Sequence, residues 1–137
     1  MDHDELRRRL AQSTVAVLAT VRPDGHPHVV PITFAFDGDV VYFAVDQKPK
    51  KTTDLQRLRN IAANPRVSVL VQNYEHDWNR LWWVRADGTA RVLDQGEPSA
   101  RAIELLTDRY SQYVDRPPQG PVVEIRIARL TGWSASP

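Results

Sequence analysis

The sequence predicts an α+β domain, a small barrel of about six mainly antiparallel strands with helices outside it. Three observations carry this. Short apolar runs rich in Val, Ile and Thr recur along the chain, too short for good helices. Turn signals at Asp24-Gly25, Asp37-Gly38 and Asp87-Gly88 punctuate them, so successive strands are expected to fold back as hairpins. Few segments show a helical period, and no repeat or linker divides residues 1–137, so one domain is expected over the whole length.

Residues 2–12 place Leu6 and Leu10 at i, i+4 with Arg7, Arg8 and Arg9 between them, a short amphipathic helix. The run TVAVLATV at 14–21 reads as a strand buried on both faces. Arg22-Pro23-Asp24-Gly25 turns the chain, since Pro presets φ early in the turn and Gly tolerates the conformation at its end. Residues 26–36 return as a second strand. Pro27 and Pro31 each remove a backbone donor from it, so it must be an edge strand or be bulged at the prolines. Asp37-Gly38 leads to a third strand at 40–45. The next helix is expected to start from a capping box of Thr53 and Gln56, to bury Leu55, Leu58, Ile61 and Ala62, and to stop at Asn64-Pro65 through a left-handed Asn. Residues 66–71 form a strand, and 80–86 with 89–93 a third hairpin about Asp87-Gly88. Ala100, Ile103, Leu106, Tyr110 and Tyr113 repeat at helical spacing behind Pro98, and 122–127 is the last strand.

Composition excludes several functions. Hydrophobic residues are 42% and charged residues 26% of the chain, which rules out disorder. There is no cysteine, hence no disulfide, thiolate metal site or Cys nucleophile. No apolar stretch reaches the roughly 20 residues needed to cross a bilayer, and the acidic, polar start is unlike a signal peptide, so a cytoplasmic protein is expected. A net charge of +1 argues against a nucleic-acid coat. The histidines are His3, His26, His28 and His76; His26 and His28 share a strand face, but no third ligand stands nearby, so no metal is expected. There is no nucleophile elbow, Walker loop or dinucleotide fingerprint, so an enzyme built on this chain would draw its reactivity from an organic cofactor.

Two local features remain. Lys48, Lys50, Lys51, Arg57, Arg59 and Arg66 stand against a single acid, Asp54, around an expected helix start. Unpaired N–H groups, the positive dipole end and these cations would suit a phosphate, with Thr52 and Thr53 adding hydroxyls; a solvated basic loop is the other reading. Trp78, Trp82 and Trp83 cluster, and adjacent Trp82 and Trp83 point to opposite faces of a strand, so at most one lies in the core. The others face a cofactor, a partner or water, or pack under a loop.

The order of elements resembles a known family. "ATVRPDGHPHVVPITFAFDGDVVYFAVD", "LRNIAANPRVSVLV", "WWVRADGTARVL" and "IRIARLTGWSAS" are similar, in this order, to segments of the flavin/deazaflavin split β-barrel proteins related to pyridoxamine-phosphate oxidase. The likeness runs from about residue 6 to 134 and is greatest to the members that depend on the deazaflavin coenzyme F420. It implies a homodimer with the cofactor, F420 or alternatively FMN, in a cleft shared by both subunits. The second strand, here His28, Val30, Pro31 and Thr33, would line the tricyclic ring, with Ala44 and Val45 approaching it. The family's basic residues at the helix start would take the phosphate. Counting forward from the third strand gives Lys50, with Lys51 and Thr52 beside it; counting back from "NPRVS" gives Arg57, about two helical turns later. Trp78 or Trp82 would close the opposite side. The R-x-H element that holds substrate in the pyridoxamine-phosphate oxidases does not follow Trp133, so a different substrate is expected. The implied activity is hydride transfer from reduced F420 to a small electron-poor organic acceptor; a carrier of F420, FMN or haem is the rival. Neither nucleic acid nor membrane is expected as a partner.

Overall fold

In the computed structural model, which describes residues 1–45, 55–94 and 96–136, the expected hairpins organise one seven-stranded sheet. Among the described residues the strands are β1 (Ala16–Val21), β2 (Pro27–Ile32), β3 (Ala35–Asp37), β4 (Val40–Ala44), β5 (Arg66–Asn73), β6 (Trp82–Val92) and β7 (Val122–Ser134). Four α-helices accompany them: α1 (His3–Gln12), α2 (Gln56–Ala63), α3 (Glu97–Arg109) and α4 (Gln112–Asp115). The sheet order is β2-β1-β5-β6-β7-β4-β3, antiparallel at every step. Its two edge strands, β2 and β3, are separated in the chain only by Thr33 and Phe34. The sheet therefore curls on itself into a split barrel.

Local chemistry explains the turns. Gly25 takes φ 88° and donates to the Arg22 carbonyl at 2.8 Å, while Asp24 Oδ1 accepts from the His26 N–H at 3.0 Å. Gly38 takes φ 64° in the two-residue turn between Asp37 and Val40. β2 is an edge strand, not a bulged one: its register with β1 runs unbroken from Val21↔Pro27 to Ala16↔Ile32. Paired residues alternate between hydrogen-bonded and open, and a proline can occupy only the open kind. Pro27 and Pro31 thus turn their missing donors to the free side, leaving Val29 as the one donor there.

α1 buries Leu6 and Leu10 as its spacing requires, and Asp2 caps it by accepting from the Glu5 N–H at 2.8 Å. With these two, Leu18, Phe34, Val41, Phe43, Val69, Val84 and Ile125 form the main core. The split is sewn from α3. Tyr110 Oη accepts from the Phe34 N–H at 3.0 Å and lies 2.8 Å from the carbonyls of Phe34 and Thr14. Arg109 donates to the Ser13 carbonyl and lies 5.0 Å over the Phe34 ring.

The structure corrects several expectations. Asp87-Gly88 is no hairpin; it lies inside β6, which pairs with β5 on one side and β7 on the other. The register against β7 shifts there, leaving Ala128 unpaired, and β7 is accordingly long, Val122–Ser134 rather than 122–127. Leu55, not Thr53, is the N-cap of α2, and the Gln56 side chain bonds to Asn60 and Arg59; Thr53 itself lies outside the described residues. On α2 Ala62 is exposed and Asn60 fully buried, because the Asn60 amide is bonded on both sides; Asn64 ends the helix in an extended conformation, its Oδ1 accepting from the Arg66 N–H at 3.1 Å. The long C-terminal helix breaks at Tyr110, where the hydroxyl bonds to the split outweigh continued helix. Finally, β1 is buried on one face only; Val17, Ala19 and Val21 on the other are half-buried.

Candidate functional site

Where the β1–β2 hairpin meets the start of α2, polar residues gather at one end of the sheet. Thr20 of β1 is buried and lies opposite His28 of β2. Its hydroxyl accepts from Asn60 Nδ2 at 2.9 Å, and Asn60 Oδ1 accepts from Gln56 Nε2 at 2.7 Å. This ladder fixes the first turns of α2 against the barrel, with Arg57 beside Gln56 at the helix start. Arg22 closes the hairpin. Burial, and then the charges of Arg22 and Arg57, hold His28 below its ordinary pKa of 6.5, so its ring is neutral at pH 7. Its Nδ1 is buried with no hydrogen-bond partner among the described residues. Two guanidiniums around a neutral imidazole with a free nitrogen form a setting that favours an anion.

The expected site residues do not all meet here. His28 and Val30 face the inside of the sheet, whereas Pro31 is exposed on the outer face, and no kink brings it round. Thr33 Oγ1 lies 3.2 Å from Tyr113 Oη, and Ala44 packs against α3 and α4 nearby. Val45 is buried at the end of β4, its N–H donating to the Pro121 carbonyl at 2.9 Å. Lys50, Lys51 and Thr52 lie outside the described residues, as do Lys48 and Thr53. Trp78 sits exposed on a single 3₁₀ turn, Trp78–Arg80, and Trp82 is half-buried under the Arg9 guanidinium at 4.6 Å. The pairings Thr20↔His28, Ala19↔Ser68 and Ser68↔Asp87 put His28 level with Asp87 and Gly88. Trp82 is five residues further along β6, about 17 Å at the usual strand rise. Within one chain the basic corner and the tryptophans occupy opposite ends of the sheet.

Sequence reasoning missed Arg22, which reads as turn punctuation, and the role of Asn60. The signal for Asn60 was present: an amide inside the apolar face of "LRNIAANP" needs a buried partner, and Thr20 supplies it. Among the described residues no group of three His, Cys, Asp or Glu is placed to hold a metal ion. None of the described helices is long and apolar enough to cross a membrane.

Residues 2–134 match the family model described as Pyridoxamine 5'-phosphate oxidase. The chain belongs to this family. Its fold is shared with the conserved hypothetical protein Rv2991 from Mycobacterium tuberculosis (TM-score 0.81, 23% identity, 98% of this chain and 86% of that one). An F420 reductase is similar at 30% identity, with a TM-score of 0.67 over 91% of this chain and 94% of its own. HutZ, the heme storage protein from Vibrio cholerae, has the same fold at 17% identity (TM-score 0.72, 96% and 90% covered). No curated protein matches the chain significantly.

Proposed function

We propose that this chain is an oxidoreductase that uses reduced F420 to pass a hydride to a small, electron-poor organic acceptor, and that it works as a cytoplasmic homodimer. The observation that carries the reading is the 30% identity to an F420 reductase over 91% of the chain. The basic corner suits such a cofactor. Arg22 and Arg57 answer its phosphate, with Lys50, Lys51 and Thr52 as further donors from the connection before α2. Neutral His28 keeps a buried nitrogen available without adding charge, and Val30, its neighbour on the same face, offers apolar contact to a flat ring. When bound, the deazaflavin supplies the hydride; FMN shares its tricyclic ring and phosphate and is the alternative. The protein's own part is to hold, orient and dry the reacting pair, which requires no strong acid or base among these side chains.

The test has two stages. Titration with F420 and with FMN, monitored by tryptophan fluorescence, should give tight quenching with F420. Reduced F420 mixed with quinones and enones should then reoxidise faster with the protein than without it. Tight binding and no acceleration over the panel would make the chain a carrier.

The dimer rests on the outer face of the sheet. Val17, Val21, Leu70 and Trp83 are half-buried there, Val29 is 60% and Trp133 48% exposed, and a shallow cleft of about 480 Å³ runs beside Val21 and Pro27. The proline-blocked edge of β2 resists strand addition, so a second copy docks on the face. Trp78 of that copy would approach the basic corner, which its own chain keeps at a distance, whereas Trp82 points to the inner face under Arg9 of its own chain. Sedimentation at micromolar concentration should give twice the chain mass, and Val29→Asp should shift it toward the monomer. A parent chain that sediments as a monomer ends the shared-cleft proposal.

A further inference from the structure

We propose that the pocket between the end of α1 and the start of β6 binds a small organic carboxylate with a flat body. It encloses about 410 Å³, within the usual range of ligand sites, and lies at the far end of the sheet from the basic corner. Arg8, Arg9, Gln12, Ser13, Asn73 and Trp82 form its walls. α1 is pinned by its Asp2 cap and by buried Leu6 and Leu10, so consecutive Arg8 and Arg9 reach the pocket from a fixed helix.

The charge there is out of balance. Both guanidiniums share one carboxylate oxygen, Glu5 Oε1, at 3.2 Å from Arg9 and 3.9 Å from Arg8. The next acid, Glu75, is already engaged by Asn73 Nδ2 at 2.7 Å and Arg80 at 3.6 Å. Arg9 also carries a buried Nε that has no hydrogen-bond partner among the described residues. An unmet buried donor is costly, and a charged one more so. A carboxylate entering the pocket would bring the second negative charge beside it, and its two coplanar oxygens match the guanidinium fork of the exposed Arg8. The flat body is implied by Arg9, which already stacks on Trp82 at 4.6 Å and can stack a second planar group on its other side. The inference goes beyond the cofactor reading and does not depend on it.

The chain without cofactor is titrated with benzoate, with its neutral analogue benzamide and with inorganic phosphate, while NMR tracks the Arg9 Nε–H and Trp82 indole N–H resonances. Benzoate should move both resonances saturably, with benzamide about tenfold weaker or worse for want of the charge-assisted bonds. Arg8→Gln removes an exposed side chain whose ion pair to Glu5 is long, so it should fold normally and weaken benzoate about tenfold. Arg9→Lys, which keeps the charge but loses the planar stacking face, should weaken it too, whereas Arg57→Ala should leave it unchanged. Equal affinity for benzamide, tighter binding of phosphate than of benzoate, or no loss in Arg8→Gln would each overturn the proposal.

Discussion

Gly88→Ala is expected to destabilise the fold by about 3 kcal/mol, the upper end for forcing an extra group into a packed site, and to lower the melting temperature by roughly 10 °C. A Cβ built on Gly88 would stand 2.2 Å from the Arg126 carbonyl oxygen and 3.2 Å from Ile127 Cα, so it meets backbone and not a side chain that could swing away. Both strands there are held from two sides: β6 by β5 and β7, β7 by β6 and β4. Relief therefore means shifting the sheet where its register already slips. Gly38→Ala is the control. It lies in a real hairpin turn with nothing within 4 Å, so its cost is the left-handed conformation alone, about 1 kcal/mol. Urea unfolding of the two variants decides the point. If Gly88→Ala is no worse than Gly38→Ala, β6 does not pass straight through Asp87-Gly88.

The contrast between these glycines shows which parts of the fold were legible. Arg22-Pro23-Asp24-Gly25 and Asp37-Gly38 act through their own dihedral angles, and the structure turns at both. Asp87-Gly88 has the same letters, yet Asp87 spends its carboxylate on Ser68 Oγ at 2.5 Å and Arg85 Nε at 3.3 Å instead of on a turn. What decides there is pairing on both sides of the strand, which no local window contains. The prolines of β2 were legible because a missing N–H restricts a strand wherever it lies. The end of α3 was not, because Tyr110 leaves the helix to bond the split near Phe34, 76 residues away in sequence.

The candidate site divides the same way. His28 and Arg57 were named through the order of the family's motifs, and the fold places Arg57 near enough to act on the His28 charge. That Arg22 joins them is a consequence of hairpin geometry. That Trp82 does not join them within one chain is set by the β5–β6 register, a long-range property that proximity of tryptophans in sequence cannot reveal. The polar ladder was half visible: Asn60 announced a need, but its partner Thr20 lies 40 residues away.

Arg57→Ala is expected to weaken F420 binding by about 1–3 kcal/mol, or roughly 5- to 150-fold, the range for charge-assisted hydrogen bonds. His28 gives this prediction a second, independent readout. In the free protein burial and the two guanidiniums keep it below 6.5, so its imidazole protons should titrate below that value by NMR. Removing Arg57 should move the titration upward, though only in part, since burial is the larger cause and Arg22 remains. A bound phosphate opposes the guanidinium charges and should also raise it. Binding then carries proton uptake, so affinity grows as pH falls through the bound-state pKa and levels off below the free-state one. Folding of the free protein has its own slope. A histidine whose folded pKa is depressed contributes stability above its unfolded value, and that contribution is lost as pH falls from about 6.5 toward the folded value. His28→Gln should flatten both dependences while leaving an uncharged polar group in place. Should Arg57→Ala bind F420 as tightly as the parent, with His28 titrating unchanged on addition of the cofactor, the phosphate does not sit at this corner.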